Sequence, residues 1–196
     1  IELIKSEEEI HFNELEVQID AQYLSALTEK VICQLTISVK HADGTLVSDT
    51  MKLTALAFDE WPGVLVNPEL LASFVMPNHP VVNSMIQLAS QYLDKWTKDP
   101  SLAGYQYGDP NRVKNMAAAA YAAIQQKNIT YAEPPSSFES SGQRIRLADA
   151  VLDQNLGTCM DMTLLYVACL EQMGLNPVMI LMNGHIFAGV WLVDES

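Results

Sequence analysis

The chain has 196 residues, 49% of them apolar, with 11 Lys and Arg against 24 Asp and Glu for a net charge of −13. That size suits one large domain or two small ones, and so negative a surface repels phosphate backbones and argues against direct nucleic-acid binding. No apolar run approaches the ~18 residues of a membrane-spanning helix. Three cysteines with no CxxC spacing (Cys33, Cys159 and Cys169) exclude a disulfide framework or a structural zinc site and point to a reducing, cytoplasmic setting.

The sequence starts at Ile1 rather than Met and carries no basic-then-apolar leader, so it is expected to be a piece of a longer protein. Residues 10–57 read as β. Phe12, Leu15, Val17 and Ile19 alternate roughly, and Val31, Cys33, Leu35, Ile37 and Val39 alternate cleanly. Asp43-Gly44 is a hairpin turn, and Met51, Leu53 and Ala55 continue the next strand, giving three or four antiparallel strands with Cys33 as a small inward residue. Trp61-Pro62-Gly63 ends this pattern, which sets an antiparallel β unit over 1–60 apart from residues 61–196. Helix starts follow at Asn67-Pro68-Glu69, at Asn78-His79-Pro80 and at Asp109-Pro110, each with Pro at the first helical position. The second carries the stripe Val82, Met85, Ala89, Leu93, and the third Val113, Met116, Ala120, Ile124, both read as core. Residues 133–142 read as a loop, 147–154 as a short helix and 156–158 as a turn. Residues 160–173 then form a helix closed by Gly174, and 177–182 and 185–193 are strands.

Chemistry concentrates in Asn155-Leu156-Gly157-Thr158-Cys159-Met160-Asp161. Thr158 is suited to cap a helix, which places Cys159 in the first turn, where the helix dipole and unpaired N–H groups favour a thiolate. Asp161 opposes that effect with its charge. The helix behind is apolar nearly all round, from Met162 to Met173, and so is expected to be buried. A nucleophilic thiol needs a base. His11 and His41 fall on exposed strand or turn positions and His79 at a helix start, whereas His185 opens the apolar run Ile186 to Val193 just after Asn183-Gly184. Metal binding by Cys159 and His185 is disfavoured because two ligands are too few, and the chemistry requires no cofactor. Cys169, three turns along the helix, lacks any helix-end activation and reads as core.

The order of Cys at a helix start, helix, strand, then His on the next strand resembles the transglutaminase-like core of the papain-like cysteine peptidase fold. "GTCMDMTLLYVACLEQMGLNPV" matches its Cys motif and "GHIFAGVWL" its His motif. "FDEWPG" and "LLASFVMPNHPVV" extend the resemblance to the transglutaminase-like domain of large bacterial proteins that also carry superfamily 1 DNA-helicase-like regions. The resemblance implies an α+β fold in which a buried helix with an N-terminal Cys packs on an antiparallel sheet. That core would sit in 61–196, behind a helical lead-in, and would be truncated at the C-terminus. It implies that Cys159 attacks a carboxamide or peptide carbonyl of a protein or peptide substrate and that His185 protonates the leaving amine. The Cys159 backbone N–H and one of Gln154, Asn155 or Gln143 would bind the oxyanion. The family places an acidic residue after the His strand. Asp194 has the right order, but nine extended residues span about 30 Å and the odd separation puts it on the other face. Asn183, two residues from His185, is the nearer alternative, and a residue past Ser196 is another. The other function compatible with the sequence is a catalytically inactive interaction module of a larger, helicase-linked protein.

Overall fold

A computed structural model describes residues 19–41 and 44–194. It divides after Phe58 into two compact units.

In the first unit the Asp20 carboxylate accepts hydrogen bonds from the Gln22 and Tyr23 N–H groups at 2.9 and 3.2 Å, capping a single-turn helix α1 (Ala21–Ser25). Strands β1 (Val31–His41) and β2 (Gly44–Ala55) form an antiparallel ribbon that sets Cys33 opposite Leu53 and Leu35 opposite Met51. Cross-strand hydroxyl pairs, Thr36 with Thr50 at 3.0 Å and Ser38 with Ser48 at 3.1 Å, lock the polar face. The described residues between 19 and 57 hold these two strands and α1, and the strand expected over Phe12 to Val17 lies outside the described residues. Phe12, Val17, His11 and Asp43, which entered the strand reading, lie outside the described residues, and Cys33 is half-buried.

The second unit is mixed α+β. It opens with β3 (Glu60–Trp61) and a 3-10 turn over Glu69–Phe74. Two long helices follow, α2 (Pro80–Thr97) and α3 (Pro110–Gln125). Each has Pro in its first turn and a side-chain cap on the residue before it: His79 accepts from the Val81 N–H at 3.4 Å and Asp109 from the Asn111 N–H at 2.9 Å. Then come β4 (Thr130–Tyr131), the single-turn α4 (Phe138–Ser141), β5 (Gln143–Arg144), α5 (Ala148–Gln154) and β6 (Leu156–Gly157). Helix α6 (Cys159–Gln172) and the antiparallel hairpin β7 (Pro177–Met182) and β8 (His185–Val190) complete it.

Val82, Met85, Ala89 and Leu93 of α2 meet Met116, Ala119, Ala120 and Ala123 of α3, all essentially solvent-free. The alanines let the helices approach closely, and each fully buried large side chain contributes about 1.5–3 kcal/mol of transfer free energy. Helix α6 fills the space between this pair and the β7–β8 hairpin. Its even spread of apolar residues reflects packed neighbours on several sides. A second cluster, with Trp61, Phe138, Met160 and Ile186 at its centre, joins the start of α6 to β8. The Trp61 ring is fully buried and its indole N–H donates to the Asn67 carbonyl at 3.2 Å. β3 reaches β5 across a close passage at Gly142, where φ is +78° and a Cβ would strike the Trp61 carbonyl and Pro62.

Candidate functional site

The start of α6 is held by a reciprocal cap. Thr158 Oγ1 accepts from the Asp161 N–H at 3.3 Å, and Asp161 Oδ2 accepts from the Thr158 N–H at 2.9 Å. Asp161 is fully buried, yet its other oxygen accepts from the Arg146 N–H at 2.9 Å and the Arg146 guanidinium stands 3.3 Å from Oδ2. Asp161 therefore spends its charge on fixing the helix start and on pairing with Arg146. Cys159 is the first residue of α6, one position past the cap. It is 4% exposed, and it lines a cleft of about 490 Å³.

His185 lines the same cleft. It is exposed at the first position of β8, directly after the Asn183-Gly184 reversal, with Gly184 at φ +72°. The Thr163 hydroxyl, one turn into α6, donates to the Ile186 carbonyl at 3.2 Å and fixes β8 against that helix. Glu139 of α4 accepts from the Gly184 N–H at 3.4 Å, and the His185 ring stacks on Phe187 at 6.4 Å and 27°. The thiol and the imidazole singled out in the sequence, 26 positions apart in the chain, thus share one cleft.

The supporting residues fall elsewhere. Asp194 accepts from the Asn176 side chain at 3.3 Å and lines a different depression beside Tyr105 and Gly174. Extended strand β8 carries the chain away from His185, as the length argument requires. Asn183 is exposed in the turn, so the face-sharing argument for it, which assumed continuous strand, does not hold. Among the described residues none hydrogen-bonds a His185 ring nitrogen. Gln154 ends α5 and Asn155 is its left-handed cap at φ +49°; both are exposed. Gln143 is buried and donates Nε2 to Thr158 Oγ1 at 3.2 Å, while its Oε1 has no partner among the described residues. None of the three lines the cleft. Gln143 instead supports the cap in front of Cys159.

Tyr131 escapes the sequence reading. It sits on β4, which pairs in parallel with β6, the two residues leading into Thr158 and Cys159. The Thr130 N–H donates to the Asn155 carbonyl at 2.8 Å and the Ala132 N–H to the Gly157 carbonyl at 2.9 Å. This places Tyr131 on the lining of the same cleft as Cys159. Desolvation, then the charge of Cys159, its hydrogen bond and the charge of Glu133 raise the phenol above its ordinary value. Cys169 is solvent-free, and burial pushes its thiol up to about 12.

No protein-family model, curated protein or solved structure matches the chain. Among the described residues no cluster of three His, Cys, Asp or Glu side chains could hold a metal, and no helix is long and apolar enough to cross a membrane.

Proposed function

We propose that the second unit is a papain-like, transglutaminase-type core that cleaves or transfers an amide or peptide bond through Cys159 and His185. The observation that carries this reading is one cleft lined by a thiol on the first residue of a buried helix and an imidazole at the mouth of the neighbouring strand. The Cys159 thiol proton passes to His185 as Sγ attacks the carbonyl carbon, forming a C–S bond while the C=O electrons move to oxygen. The Cys159 N–H at the α6 terminus and the Tyr131 hydroxyl stabilise that oxyanion. Collapse to the thioester breaks the C–N bond, and His185 gives its proton to the departing amine. Water or a second amine then attacks the thioester, His185 takes the incoming proton, and Cys159 is released.

The test is residue-resolved alkylation of the native protein with iodoacetamide. Cys159 should label faster than Cys33 and Cys169, and His185→Ala should remove that advantage. Equal, slow labelling of all three cysteines defeats the reading.

The exposed His185 ring, with no hydrogen-bond partner among the described residues to orient it, favours a second reading, an inactive module serving interactions within a larger protein. Cys159→Ser separates the two. Retention of full cellular function by the substituted protein supports the module, and loss of function supports the enzyme.

A further inference from the structure

We infer that the cleft at Cys159 is an acyl-side subsite for a large, uncharged apolar side chain, so that the substrates are amides whose acyl residue is aromatic or a long aliphatic. The inference rests on the catalytic reading above and names its substrate class. The acyl carbon becomes covalently bound to Sγ, and Cys159 is otherwise buried, so the acyl group must occupy the space onto which the sulfur opens.

That space is apolar. Ile124, Ile129, Met162 and Tyr166 line it, together with Phe187 next to His185. The Tyr166 hydroxyl donates to the Ala117 carbonyl at 3.0 Å, which turns its only polar atom away and fixes the ring. Tyr121 meets that ring edge-on at 6.1 Å and 83°, is 60% exposed, and forms the rim. In a chain carrying 35 charged side chains (11 Lys and Arg plus 24 Asp and Glu), no Asp, Glu, Lys or Arg among the described residues lines the cleft. Its amide side chains, Gln125 and Asn128, stand at the exposed edge. Apart from His185 beside the thiol, nothing there offers a charged substrate side chain a counter-ion for the water it would lose, whereas an aromatic one would gain edge and face contacts with two tyrosines and Phe187. The volume lies within the ~300–1,000 Å³ typical of small-molecule sites and leaves room for flanking backbone.

Peptidyl chloromethyl ketones that differ only in the residue next to the warhead test this. Sγ bonds to the methylene carbon, the C–Cl bond breaks, chloride leaves, and the thiol proton passes to His185. Rates are read at the Cys159 peptide and divided by the iodoacetamide rate of the same protein. Phe and Leu probes should exceed Asp and Lys probes by at least about tenfold. Tyr121→Ala should lower the normalised Phe rate severalfold, and Gln125→Arg should raise the Asp probe relative to the Lys probe. A flat ranking, or faster charged probes, overturns the subsite and leaves the catalytic reading standing wherever iodoacetamide still selects Cys159. Failure of iodoacetamide to select Cys159 removes the catalytic reading and the subsite with it.

Discussion

Replacing Asp161 with Ala should be among the most destabilising single changes in the second unit. The carboxylate is solvent-free and accepts two backbone N–H groups at 2.9 Å, from Thr158 and Arg146. Hydrogen bonds to a charged acceptor are worth about 1.5–3 kcal/mol each, so losing both costs about 3–6 kcal/mol. The ion pair with Arg146 adds little, because that guanidinium is 35% exposed and can turn to water. Asp161→Asn keeps one acceptor and should cost about half as much. Urea unfolding read by tryptophan fluorescence is a suitable assay, since Trp61 has no solvent exposure in the folded unit. A loss below about 1 kcal/mol for Asp161→Ala would refute the claim that this carboxylate anchors the start of α6.

If Tyr131 is the proposed oxyanion donor, Tyr131→Phe should lower amide turnover ~10²-fold while Cys159 remains selectively alkylated; unchanged turnover assigns the donor elsewhere. Gly142→Ala forces a Cβ into the Trp61 carbonyl at φ +78° and should cost at least ~2 kcal/mol by urea unfolding. The Cys169 thiol is raised from 9.0 to about 12, so the native state holds a proton that the unfolded state releases. Stability should therefore fall as pH climbs from about 9 toward about 12, a slope that Cys169→Ala reduces in pH-dependent unfolding.

The long helices are legible in the sequence because two independent signals coincide on each. Pro80 and Pro110 follow capping side chains, and the apolar stripes of α2 and α3 repeat over several turns. The start of α6 is legible from Thr158 alone, since Thr is a strong cap and the run from Met162 to Met173 is too apolar to be anything but buried. The two-residue ladders are not legible: a pair such as Thr130-Tyr131 is too short to show any period, and its pairing with Leu156-Gly157 depends on the packing of everything between. Tyr131 stays hidden for that reason. Within the stretch read broadly as β, residues 21–25 are helical because Asp20 caps them, a local signal that carries no alternation. The strand-face argument for Asn183 does not carry over, because it ignores the reversal that its own neighbour Gly184 permits.

The parallel ladder between β4 and β6 has a kinetic corollary. Two short main-chain bonds, from Thr130 and Ala132, clamp the phenol's strand to the run that enters Cys159, and neither belongs to the packed helices. Such a clasp belongs to the low-stability end of a fold, and its opening is expected to need less free energy than melting the interior. Deuterium uptake at those two amides would then clock the readiness of the thiol separately from the durability of the protein.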